Sequence, residues 1–161
     1  MELVREILVL LHVLLVIVWL GTDLVVFSLS MSLLNRKLPI AIRVDRAHVA
    51  EKIDRWVLKS FLLTVPVGLV LVRLGHYSVV RTPWLGLKLA CFGLIVVISV
   101  AILTGAGGTT QTLERIAAGG ADSQLLEARL RTRVLAMAPP VLIIYALILF
   151  ILFVSLNPGR W

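Results

Sequence analysis

The chain has one cysteine, Cys91, among its 161 residues. That excludes an internal disulfide and any metal cluster built on several thiolates. Acids are scarce too, 9 Asp and Glu against 16 Lys and Arg. Most of all, polar sequence is lacking. Hydrophobic residues make up 60% of the chain and its mean hydropathy is +1.02, whereas soluble domains sit at about 45–50% apolar. The excess points to a lipid bilayer as the partner that buries it.

Four segments carry the run of about 20 apolar residues that a spanning helix needs. They are roughly Leu3–Leu33, Val57–Leu74, Trp84–Thr104 and Val134–Leu156. The expectation is an all-α fold, a four-helix transmembrane bundle forming a single integral membrane domain over residues 1–161. Its helices are expected at about 3–33, 41–75, 84–104 and 123–156. The first run is too long for a signal-peptide core, begins "MELVRE" with two acids, and lacks a small-x-small site. It reads as a retained helix.

The basic residues are lopsided. The link between the first two helices carries Arg36, Lys37, Arg43, Arg46, Lys52, Arg55 and Lys59, and the link into the last helix adds Arg115, Arg129, Arg131 and Arg133. By the positive-inside rule both links are cytoplasmic and both termini lie on the outer, periplasmic side of a bacterial-type cell membrane. A nucleic-acid partner is excluded on pattern, since no aromatic residues interleave with the basic ones and no binding motif is present.

The links have their own signals. Val49, Ile53, Trp56 and Val57 recur at helical spacing, with Glu51 and Arg55 placed for an i,i+4 pair, so the second helix begins outside the membrane. "ADSQLLEARLRTR" repeats the pattern with Leu126, Leu130 and a Glu127–Arg131 pair. "GAGGTTQTLERIAAGGADS" reads as a flexible turn. Pro139-Pro140 predicts a kink in the last helix.

Polar groups inside the membrane carry the functional signal, because an ionisable residue in lipid is costly unless it is paired or used. In the first helix His12, Val16, Trp19, Asp23, Val26 and Ser30 form one stripe. His12 and Asp23 are eleven residues apart, about 16 Å along the axis, and so are not partners of each other. Gly21 lies off the stripe and offers a close approach for a neighbour. Asp23 is expected to meet a base such as Lys59 or Arg55. His12, Arg73, His76 and Lys88, with Tyr77 and Arg81 nearby, fall in the outer half. A neutral histidine among cations suits haem b, with His12 (and His76 as a second candidate) on the iron and Arg73, His76 and Lys88 on the propionates. An interhelical hydrogen bond, a quinone contact and a weaker copper site stay open for His12. Lys88 has a snorkelling alternative, and His48 reads as solvated.

These residues resemble a family. "LHVLLVIVWLGTDLVVF" is similar to the opening helix of the HemJ-like protoporphyrinogen oxidases and the related copper-resistance-D-like and DUF2269 membrane proteins, with their early His and Trp-x-Gly element. "RWVLKSFLLTVPVGLVLVRLGH", "PWLGLKLACFGLIVV" and "APPVLIIYALILFILFVSLNP" are similar to the helices that follow. The resemblance implies a haem b or porphyrin site with His12 and Lys88 as the matching residues. The family's Asn-Glu-x-Pro element is replaced here by "LAMAPP", which removes two polar groups.

Two functions follow as expectations. One is a haem- or porphyrin-binding redox protein of the cytoplasmic membrane, exchanging electrons with a donor such as a quinol. The other is a cofactor-free accessory subunit of a larger respiratory or photosynthetic membrane complex, or a homo-oligomer. Copper transport is a weaker third.

Overall fold

In the computed structural model, residues 2–75, 77, 82–106, 108–119 and 122–156 are described, the side chains of 103–106 excepted. The described residues hold five helices and no strand. They are α1 (Glu2–Ser32), α2 (Ile40–Leu74), α3 (Pro83–Ala106), α4 (Thr109–Ala117) and α5 (Ser123–Leu156). Four of them are long and apolar enough to cross a membrane. At 1.5 Å per residue, α2 and α5 are each about 50 Å long, well beyond a hydrocarbon core of about 30 Å. Both run on past the membrane at one end. That end also carries the turn from α1 to α2 and the short α4, and is called the basic end below.

The outward faces are apolar. Leu10, Ile17 and Leu24 of α1, Leu62 and Leu69 of α2, Val97 of α3, and Leu149 of α5 are all exposed. In water so much exposed hydrocarbon would aggregate; against lipid it is the expected surface. Inside, α1 packs mainly along α2, and α3 mainly along α5. An aromatic knot draws the two pairs together. Trp19 of α1 lies 4.9 Å from Phe61 of α2, which stacks at 5.5 Å on Phe92 of α3. Val57, Ile95 and Ile144 complete this core. A second core at the basic end joins Leu33, Ala47, Leu113, Leu130 and Val134.

Three sequence expectations are corrected here. The stretch expected as a flexible turn contains α4, because Leu113 is wholly buried beneath it in the second core. Its left-handed entry residue Gly108, at φ 89°, allows the chain to turn sharply out of α3. Neither i,i+4 pair forms. Glu127 pairs instead with Arg43, whose Nη1 and Nη2 reach its two carboxylate oxygens, with Arg36 nearby at 3.7 Å. Glu51 accepts a hydrogen bond from Thr110 of α4 at 3.0 Å. A tertiary partner outcompetes a solvated i,i+4 contact worth about 0.2–0.5 kcal/mol. Gly21 faces open space rather than a helix. The Pro139-Pro140 pair, the expected site of a kink, lies inside α5.

Arg43 ties three segments together. It is buried, donates from Nε to the Leu33 carbonyl at 2.8 Å, and holds Glu127 of α5. The Leu33 carbonyl lies just past the end of α1, among acceptors that have no partner within the helix.

Candidate functional site

The stripe on α1 does face the interior. Trp19 is buried and His12, Val16, Asp23, Val26 and Ser30 are half-buried. The α1–α2 register sets its neighbours. His12 lies beside Gly68 and Trp19 beside Phe61, so the two helices run antiparallel with paired numbers summing to 80. The same register puts Asp23 level with Val57, one turn from Asp54 on the facing helix.

Asp23 therefore lies towards the basic end, on the α4 side of the aromatic knot. Its expected partners were Lys59 and Arg55. Its partner is Tyr145 of α5, whose hydroxyl donates to Oδ2 at 2.8 Å. Lys59 instead lies over the Trp56 ring, 5.0 Å from its centre. Asp54 is within electrostatic reach of both Asp23 and Glu51. Asp23 and Asp54 line one cavity of about 250 Å³ with Ser30, Glu51, Thr110 and Gln111. It extends from the Asp23–Tyr145 pair to the first turn of α4. A smaller cavity of about 80 Å³ continues from Asp23 and Asp54 past Ser99 to Trp19 and Phe61. Three carboxyl groups, Asp23, Glu51 and Asp54, thus line one largely apolar cavity, with the Tyr145 hydroxyl bonded to the first of them, an arrangement that suits the uptake and release of a proton.

Sequence reasoning gave Tyr145 and Asp54 no role. Each left a signal. Tyr145 carries the only side-chain polar group between Val141 and Val154, and a buried tyrosine hydroxyl needs a partner. Asp54 sits one turn before the apolar run of α2 and shares the interior face with Val57.

The outer-half candidates are arranged differently. The His12 imidazole packs on α2, where a Cβ at Gly68 would meet its Cε1 at 3.2 Å. The Thr64 backbone lies within its electrostatic reach, while its Nδ1 is buried without a partner. Lys88 stands over its own helix's Trp84, 4.4 Å from the ring centre. Arg73 is exposed at the end of α2. Tyr77 meets Trp84 edge-on at 5.4 Å. His76 and Arg81 lie outside the described residues. His12, Arg73 and Lys88 thus each have separate surroundings. Among the described residues no group of three or more His, Cys, Asp and Glu side chains gathers, and His12 carries a buried ring nitrogen without a partner.

His48 pairs with Glu114 of α4 at 3.2 Å on the exposed surface of the basic end. No protein-family model, curated protein or solved structure matches the chain.

Proposed function

We propose that this is a multi-pass protein of the cytoplasmic membrane that takes up and releases a proton at Asp23, reached from the cytoplasm. The carrying observation is the Tyr145–Asp23 hydrogen bond at 2.8 Å, made by a carboxyl group that lines one cavity with Asp54. A carboxyl group at this depth costs several kcal/mol unless it is paired or used. Tyr145 offsets part of that cost, and the adjoining Asp54 adds to it, which argues for use over simple structural pairing. The basic links support a cytoplasmic α4 end, and on this reading the cavity faces that side. His12 lines neither cavity, and Trp19 and Phe61 lie at the inner limit of the smaller one, which supports a one-sided proton site over a pore.

The test is infrared difference spectroscopy on the protein in liposomes across a pH step. A protonated-carboxyl band should titrate with the pH of the α4 side and disappear in Asp23→Asn, and a hydrophobic carbodiimide should label Asp23. If Asp23→Asn leaves the titrating band unchanged, the reading fails.

A haem-binding redox role, on the resemblance given above, is the second proposal. It rests on the unpartnered Nδ1 of His12 and requires α1 and α2 to part at Gly68. A visible spectrum of protein from haem-replete cells tests it: a b-type band lost in His12→Ala supports it, and a colourless folded preparation rejects it.

A further inference from the structure

Beyond the proton site, a second cavity lies across α4 from it. We infer that this groove, between α4 and α5, binds the phosphate of an anionic phospholipid. Its volume is about 270 Å³, and Arg115, Arg129 and Arg133 line it with Gln111 and Thr112. Among the described residues no carboxylate lines it. The neighbouring acids are engaged elsewhere, Glu127 by Arg43 and Glu114 by His48. Arg115, Arg129 and Arg133 bring three guanidinium groups to one groove, and their planar N–H forks match phosphate oxygens in pairs.

The position selects a lipid over a soluble phosphate ester. Arg133 immediately precedes Val134, where the apolar run of α5 begins. Arginine at that depth sits at the headgroup level of the leaflet. Below Arg129, Ala136 and Ile143 follow at seven-residue spacing on the same face, and Ile143 is exposed. A headgroup in the groove therefore has a hydrocarbon track leading away from it. The groove shares Gly108 and Gln111 with the acidic cavity, so the first turn of α4 is a wall with acids on one face and arginines on the other.

The test is native mass spectrometry of the full chain released from nanodiscs of phosphatidylglycerol mixed with phosphatidylcholine. Wild type should retain phosphatidylglycerol selectively. Arg115→Gln/Arg129→Gln should weaken that binding about twenty-five-fold, from a loss of about fivefold per arginine near an anionic surface. Arg115→Lys/Arg129→Lys should recover most of it. Arg55→Gln/Arg131→Gln removes the same charge from the same end, off the groove, and should change binding less than about threefold. Helicity and elution volume must match wild type in all three. Equal losses in the two glutamine pairs, or undiminished binding in the groove pair, would overturn the assignment. So would displacement of the lipid by millimolar glycerol 1-phosphate, which would make a soluble phosphate ester the ligand.

Discussion

Removing Arg43 should uncouple the basic end from the bundle. The side chain is 4% exposed and makes three hydrogen bonds, one to the Leu33 carbonyl and two to Glu127. Breaking a buried pair from one side costs about 3–5 kcal/mol, because the remaining charge stays buried and unmatched. The two halves of this pair differ. In Arg43→Met, Glu127 keeps 18% side-chain exposure and Arg36 at 3.7 Å, so the cost should fall near 2–3 kcal/mol, within the range for hydrogen bonds to charged groups. In Glu127→Gln the stranded group is the more deeply buried guanidinium, so the loss should be larger, about 3–4 kcal/mol. Arg43→Met/Glu127→Gln removes both charges and should recover about 1 kcal/mol or more relative to Glu127→Gln. The pH dependence follows from Glu127. The hydrogen bonds from Arg43 hold its carboxyl below the usual glutamate range, against desolvation and with help from the Arg43 and Arg36 charges. Glu127 lies on the extension of α5 outside the membrane, where it titrates with the bulk. A depressed folded-state value means the contribution is full above about pH 4.5, the unfolded value, and is lost as pH falls through the lower folded value. Unfolding by added sodium dodecyl sulfate in mixed micelles, followed by tryptophan fluorescence from pH 7 to pH 3, measures both effects. If the two single losses simply add in the double variant, or if Arg43→Met keeps the full acid sensitivity, the pair does not hold the basic end together.

Tyr145→Phe leaves the Asp23 carboxyl without its donor, and should cost about 1–3 kcal/mol in the same assay; Asp23→Asn/Tyr145→Phe should cost less than the sum of its parts. Leu113→Ala opens a hole under α4 and should cost about 2–4 kcal/mol, read most directly as faster protease cleavage between residues 107 and 122. Gly68→Ala sets a helix-propensity gain of about 1 kcal/mol against a Cβ 3.2 Å from His12 Cε1, so its net effect should stay within about 1 kcal/mol. Gly68→Leu overfills the same seam and should lose about 1–3 kcal/mol. Equal stability of the two Gly68 variants would mean that His12 is not held there.

The long helices were legible because each rests on a local property, an apolar run of spanning length. The inward stripe on α1 was legible for the same reason, as a period within one helix. The partnerships were not. Arg43 and Glu127 are 84 residues apart, and Asp23 and Tyr145 are 122 apart. No local pattern selects them over Lys59 for Asp23 or Arg131 for Glu127. Charge complementarity within reach of sequence favours a base for Asp23. Once Lys59 lies over Trp56, a phenol from another helix supplies the hydrogen bond without bringing a second charge into the apolar interior. The helix α4 escaped because flanking glycines dominate its stretch, and because its one fully buried anchor, Leu113, acquires meaning only when α2 and α5 enclose it.

The register between α1 and α2 explains why one apolar helix carries two ionisable groups without joining them. With paired numbers summing to 80, Asp23 falls level with Val57 and His12 level with Gly68, and Trp19 meets Phe61 between them. The buried hydroxyls of Ser60 and Thr64 lie along this stretch, yet each donates to its own helix, to Trp56 and Val57 or to Ser60. They offer no hydrogen-bonded route past the rings. On the proposed function a proton at Asp23 exchanges through the cavity that reaches α4, while His12 packs in the seam with α2. Replacing Phe61 with alanine would remove the ring common to both aromatic contacts and leave space beside Ser60. If insulation depends on that ring, Phe61→Ala liposomes should leak protons faster than wild type, and Asp23→Asn in the same background should suppress the leak. A leak unaffected by Asp23→Asn would place the path elsewhere, and tight Phe61→Ala liposomes would assign the seal to the helices rather than to the knot.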